Sequence, residues 1–319
     1  MARWVLSRVA TGLITLLGIA IVVFLSVRLV PGQAERVLLG PLASEEDRAA
    51  LVSTLGLDRD LFTQFGLWFM KVLQGDLGTS IISQEPVVDE LALRLPVTAS
   101  LAVLALVMAL AVGIPLGIWQ AVRAHRRGGA VVSRVVSGLA ISVPEFVLGA
   151  LVVLVFSMFP VGITVGAVTP VTENFLAGIG SLLLPAAVLS VFCAAATART
   201  TRDATLGVLV EPYIQAAKAR GDSPGTIIRR HVLRNVSIPI LTLAATLLAQ
   251  LLGGAVIVEG LFNVPGVGSY MLRAMDRRDF AVVQAVVMFA AIVFVVASML
   301  VELASSRIDP RVATTGDRT

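Results

Sequence analysis

Glu211-Pro-Tyr-Ile-Gln-Ala-Ala-Lys-Ala-Arg-Gly-Asp-Ser-Pro-Gly-Thr-Ile-Ile-Arg-Arg-His-Val-Leu-Arg-Asn235 is a basic, polar stretch inside an otherwise oily chain. Its punctuation predicts two short helices. Gly221 suits the left-handed conformation that closes the first, Ser223 suits the N-cap of the second, and Pro224 suits its first turn. The wider polar segment Arg199–Arg234 is bounded by the charge-free runs Asn174–Ala198 and Asn235–Val258. A basic helix-turn-helix held between two apolar runs fits docking onto a soluble partner at a membrane surface.

Four more charge-free runs occur, at Val9–Val27, Leu95–Val122, Phe146–Thr172 and Phe280–Val301. A helix needs about 20 apolar residues to cross the hydrocarbon core, whereas a barrel strand needs roughly ten in alternation. The chain is 57% hydrophobic and 14% charged, with mean hydropathy +0.91. An all-α polytopic membrane protein with about six transmembrane helices is expected, near Val9–Val30, Thr98–Trp119, Ser137–Met158, Ser181–Thr201, Ile238–Val258 and Ala281–Ala304. The organisation reads as residues 1–30 for the N-terminus and first helix, 31–97 for a loop subdomain, and 98–319 for a five-helix core with its polar loop at 199–235. The first apolar run is too long for a signal-peptide core and reads as a retained anchor.

Basic residues set the expected orientation. Sixteen of the 25 Lys and Arg fall in the N-terminus, in Arg123–Arg134, in Arg199–Arg234 and after the last run. Pro31–Pro96 instead holds five basic and ten acidic residues. By the positive-inside rule both termini and the two basic loops are cytoplasmic, while Pro31–Pro96 and Glu259–Phe280 face outward. The basic pI of about 10.0 thus follows topology, and no clustered patch with stacking aromatics suggests nucleic acid.

Enzyme chemistry finds little footing. His125 and His231 lie in different loops with no ligand-type neighbour at metal spacing. No Gly-rich stretch precedes a Lys and a Ser or Thr, so the chain itself has no phosphate cradle for ATP. No Gly-x-Ser-x-Gly elbow occurs. Cys193 is the lone cysteine and reads as a small buried hydrophobe. Among carboxylates near the apolar runs, Glu145 and Glu259 form no relay, which disfavours an ion-coupled carrier.

Outside the membrane, Ser44 and Asp47 resemble a capping box opening a helix that ends near Gly56. Leu61, Phe65, Trp68 and Val72 then share one apolar helical face, with Phe62, Phe69 and Leu73 beside it. This face is read mainly as packing on the spans. Gly260-Leu-Phe-Asn-Val-Pro-Gly-Val-Gly268 is too broken for a full helix. Irregular backbone at membrane depth is tolerated only when buried or lining a watery cavity. Glu259, Asn263, Pro265 and Gly266 are therefore candidate translocation-pathway residues, with an ordinary loop as the other reading.

At this point the sequence resembles the inner-membrane permease subunits of ABC importers of the dipeptide/oligopeptide/nickel type. Along nearly the whole chain stand Arg28-Leu-Val-Pro-Gly32, Leu55-Gly-Leu-Asp58, Gly75-Asp-Leu-Gly-Thr-Ser80, Arg94-Leu-Pro-Val-Thr98, Gly113-Ile-Pro-Leu-Gly117, Leu184-Pro185, Gly253-Gly254-Ala255-Val256, Val258-Glu259, Pro265-Gly-Val-Gly268 and Asp309-Pro310-Arg311. Gln215-Ala216-Ala217 followed by Gly221 is similar to the Glu-Ala-Ala…Gly signature by which such permeases engage their ATPases. Gln215 replaces the Glu, Gln33 stands where relatives often have Asp, and His231-Val-Leu-Arg-Asn235 replaces Ile-x-Leu-Pro.

The resemblance implies a type I ABC importer permease fold in the cytoplasmic membrane, half of a heterodimeric pore for di- or oligopeptides. It implies a second homologous permease, two ABC ATPases that bind ATP and Mg, and an extracytoplasmic solute-binding protein. No cofactor is implied for this chain. Tyr213–Arg220 and Thr226–Arg234 would be the coupling helices. Tyr213, Gln215, Ala216, Ala217, Arg220, Gly221, Arg229, Arg230 and His231 are the implied ATPase-coupling residues. An ion-driven carrier or channel acting alone is the rival reading, and a membrane scaffold that recruits a partner without moving solute is a third.

Overall fold

The computed structural model describes residues 2–28, 58–123, 143–159 and 174–308, with a few isolated positions between them. The Ser44–Asp47 capping box and the Arg126–Arg134 loop lie outside the described residues. Regular structure among the described residues is helical, apart from one bridge between Thr79 and Pro86. Among the described residues, five helices are long and apolar enough to cross a membrane.

The first, α1, is Ala2–Arg28, and the short α2 is Leu61–Leu73. The second long helix, α3, runs Val87–Arg123, 37 residues against the shorter segment expected. At 1.5 Å per residue it spans roughly 55 Å, well beyond the hydrocarbon core. Its ends are polar, with Asp89 and Glu90 in the first turn and Arg123 in the last. Charges of these signs suit the helix dipole, so the helix outlasts its apolar stretch. Pro96 and Pro115 lie inside it.

The expected third span is represented by α4, Glu145–Met158, which is apolar but only 14 residues long. Most of the residues expected before it are not described. Next comes α5, Phe175–Leu209, opened by Asn174, whose side chain accepts from the Ala177 N–H. It runs on to Leu209, past the Thr201 boundary expected, and carries Arg199 and Arg202 inside the helix. The polar segment supplies α6 (Pro212–Ala219) and α7 (Pro224–Ile227). A π turn, Ile228–Val232, leads directly into α8, Leu233–Gly254. After α8 come the short α9 (Val256–Leu261) and α10 (Val267–Asp276), then α11 (Phe280–Ile308).

The centre of the bundle is the α3–α5 pair. Leu101, Ala102, Ala105 and Ala109 pack against Leu182, Ala186, Leu189 and Cys193, with Leu247 and Leu251 of α8 closing the cluster. Gly113 and Gly117 sit one turn apart on α3. A Cβ at Gly117 would lie 2.5 Å from the Ala198 carbonyl oxygen and 2.6 Å from the Thr201 Cβ. Small residues spaced by four let two helix backbones touch, which is how spans associate where lipid is as apolar as the side chains.

Helix α1 runs antiparallel along α11: Gly12 meets Val295 and Met299, while Ala20 packs near Met288 and Ile292. The start of α1 and the far part of α11 therefore share one end of the bundle. The same end holds α6, α7 and the π turn, which seat Ile214, Ile227 and Val232 against Leu110, Ile114 and Val208. At the opposite end α2 docks on α1, where the rings of Phe24, Phe65 and Trp68 lie 5.4–6.0 Å apart. Phe65, Trp68 and Val72 pack as expected, but Leu61 is exposed and Phe62 is 89% exposed. The apolar face is rotated because Gln64 turns inward, its side-chain amide donating to the Arg59 carbonyl.

Candidate functional site

Two structures at opposite ends of the bundle hold the residues singled out in the sequence. The first is the elbow between α5 and α8. Gly221 takes φ +86°, a conformation open to glycine and costly for side chains. The Asp222 N–H reaches back to the Ala217 carbonyl at 3.1 Å, closing α6. Ser223 caps α7 by accepting from the Thr226 N–H, and Pro224 occupies the first turn. Each of these local features follows the sequence reading.

The second expected coupling helix, Thr226–Arg234, is different. It is no separate element but passes through the π turn into α8. The apolar positions Ile227, Val232, Val236 and Ile240 face inward throughout, so burial holds the segment as one continuous rod. A push on α7 therefore acts directly on a spanning helix. Of the two arms of the elbow, α6 alone is flanked by turns on both sides.

Ring contact joins the two arms. Tyr213 and His231 lie 5.9 Å apart, and the Asn235 side-chain amide donates both to the Tyr213 hydroxyl (3.3 Å) and to the His231 carbonyl (2.8 Å). Gln215, Ala216, Arg220, Arg229 and Arg230 are exposed on the elbow. Arg220 has Asp222 at 3.8 Å. Ala217 is 0% exposed and packs beside Ile214, because one side of α6 must be buried to seat it.

The second structure is the turn between α9 and α10. Glu259 is 0% exposed, and its carboxylate accepts from the Thr98 hydroxyl (2.7 Å) and from the Ser269 N–H (3.0 Å). The Thr98 oxygen in turn accepts from the Val267 N–H at 2.9 Å. A buried carboxylate is tolerated when hydrogen bonds surround it. These bonds tie the start of α10 to α3. Gly266 is buried against the same carboxylate, and Asn263 has φ +48°. Of the four candidate pathway residues, Asn263 lines a cavity of about 450 Å3, shared with Gly260 and Arg273. Glu259 and Gly266 are turned into the protein, where they hold the turn.

Residues 113–314 match the family described as binding-protein-dependent transport system inner membrane component, and residues 1–102 match its N-terminal counterpart. The chain belongs to this family. A probable peptide ABC transporter permease protein, y4tP, of Sinorhizobium fredii is 35% identical over 315 residues, covering 98% of this chain and 99% of the relative. The glutathione transport system permease protein GsiC of Salmonella typhi is 37% identical over 317 residues, with the same coverage. In fold, the chain is similar to a chain of the MetNI methionine ABC transporter in an inward-facing conformation. The TM-score is 0.50 at 18% identity, covering 68% of this chain and 94% of the other.

As an ABC importer permease, the molecule is a transport subunit rather than a catalytic one. Sequence reasoning missed two features of the permease. Thr98 enters the sequence reading as a span boundary and as the end of Arg94-Leu-Pro-Val-Thr98, yet it links into the Glu259 network from 161 positions away. The arginines Arg94, Arg273 and Arg277 gather beside the same turn, and no local pattern announces their meeting.

Proposed function

We propose that this permease imports peptides, forming half of a translocation path with a second homologous subunit. The cargo assignment is supported by full-length relatives named for peptide and glutathione transport. In this reading the elbow end is cytoplasmic, in line with its basic residues and with the position of α1 and α11. Two ATPases bind ATP and Mg and seat against the elbow, and a solute-binding protein delivers cargo at the Glu259 end.

One observation carries the coupling reading: α7 is continuous with the spanning helix α8, while Gly221 joins it to the short, exposed α6. Closure of the ATPases against α6 moves α8 as a rigid rod. Alternating access then follows from a bundle with two arrangements, biased by the nucleotide state of its partners. Gln215, Ala216, Arg220, Arg229 and Arg230 present the docking surface, Tyr213 and His231 brace the arms, and Ala217 seats α6.

The test is ATP-dependent uptake of a peptide panel by the assembled importer in liposomes, with co-purification of the ATPases as a second readout. Substituting Gln215, Arg229 and Arg230 together is expected to lose the ATPases while leaving the permease in the membrane. ATPase association that survives this change overturns the docking assignment.

A further inference from the structure

Three guanidinium groups meet at a cavity of about 170 Å3 beside the Glu259 turn. Arg94 comes from α3, Arg273 from α10, and Arg277 from the C-cap of α10, four residues after Arg273. The acids bordering the cavity are already engaged. Glu90 accepts from the Arg94 Nε at 2.8 Å, and Asp279 accepts from the Ser80 hydroxyl at 2.6 Å and from the Ile81 and Val282 N–H groups. Among the described residues Arg273 and Arg277 make no ion pair. Arg273 donates only to the Ser269 hydroxyl, at 3.2 Å. Burial, then the charges of Arg94 and Arg277, hold the Arg273 guanidinium below its ordinary pKa. The Tyr270 hydroxyl is buried without a hydrogen-bond partner, and Tyr270 also lines the cavity, with Arg94 over its ring at 4.8 Å. The unpaired Tyr270 hydroxyl thus stands beside two guanidiniums that carry no ion pair among the described residues, a donor set that suits an anion.

We infer that this cavity binds a carboxylate, and that its occupant is the C-terminal carboxylate of a peptide entering the permease. The volume is below the roughly 300–1,000 Å3 of sites that enclose a drug-sized molecule, so it accepts an end group and not a whole peptide. Guanidinium forks match a planar carboxylate with paired N–H donors. Arg273 also lines the neighbouring cavity with Asn263, so an anchored end group sits next to the turn. The inference rests on the proposal that peptides are the cargo.

The test compares uptake of short peptides, as free acids and as C-terminal amides, by the complete importer with its binding protein. Arg273→Gln with Arg277→Gln lowers the acid-to-amide uptake ratio roughly tenfold, the scale of one lost charge-assisted contact. An unchanged ratio overturns the proposal. In parallel, phenylglyoxal labelling of both arginines in the unaltered complex is read by mass spectrometry. N-acetylalanine slows the labelling and N-acetylalaninamide does not. Equal labelling with the two overturns the proposal even when the double variant fails to assemble. If the unaltered importer takes up neither peptide form, the peptide reading falls, and the peptide as occupant with it. The labelling then still decides whether the cavity binds a carboxylate.

Discussion

Gly266 and Glu259 are packed so closely that a Cβ at Gly266 has no room beside the Glu259 carboxylate. The contact matters because that carboxylate bridges Thr98 of α3 and Ser269 of α10. One glycine thus lets two distant parts of the chain close on a buried acid.

Gly266→Ala is expected to destabilise the permease by about 1–3 kcal/mol, the range for overpacking a tight interior. Glu259→Ala leaves the Ser269 N–H and the Thr98 hydroxyl without their acceptor, at about 1–3 kcal/mol. Combined, the two changes cost less than their sum, since removing the carboxylate makes space for the new methyl. Thermal unfolding of the four proteins in nanodiscs checks this. Strict additivity would show that the two residues are not in contact.

At Gly221 the backbone, rather than the space, is limiting: φ is +86° and nothing lies within 4 Å of a built Cβ. Gly221→Val is expected to cost about 1–2 kcal/mol locally, and Gly221→Asn much less, because Asn enters the left-handed region more readily. ATP-dependent uptake should follow the same order. Equal activity of the two variants would place the elbow's function elsewhere.

On the α3–α5 seam, Gly117→Ala drives a methyl into the Ala198 carbonyl and Thr201. A loss of about 1–3 kcal/mol is expected. Thr201→Ala should recover only part of it, because it removes Cγ2 while the Ala198 carbonyl and the Cβ at 201 remain. Full recovery in chemical denaturation of the double variant would contradict the geometry.

The start of α2 carries a pH-sensitive cap. Asp60 accepts from the Thr63 hydroxyl (2.6 Å) and N–H (2.9 Å), and these bonds hold its carboxyl below the ordinary value of 3.8. A depressed folded pKa means the cap is fully present above that ordinary value and is lost as pH falls through the lower folded one. Amide exchange protection at Thr63 is expected to fall as pH drops below 3.8 and on through the lower folded value. Asp60→Asn, which keeps the acceptor without the charge, should remove that dependence. An identical pH profile in the two proteins would exclude the cap as its source.

Legibility divided by distance along the chain. Gly221, Ser223 and Pro224 announced their turn because each acts within a few residues, and the structure has all three as read. The spans were visible as charge-free runs, but their ends were not. α3 and α5 continue past the apolar stretch into polar turns, where charge suits a helix end as well as a loop. The Thr226–Arg234 segment was misjudged for a related reason. Its basic exterior looked like a separate helix, while its buried side joins it to α8.

The amino-acid order alone determined the membrane class, the apolar segments, the turn at Gly221 and the family, since all are carried by residues near one another or by motif order. Tertiary structure alone decided that Glu259 points inward, that Ala217 is a seat, and that Arg94 joins Arg273 and Arg277. Hydrogen bonds and charge clusters of this kind depend on which faces meet after the helices pack, and no short stretch of sequence encodes that meeting.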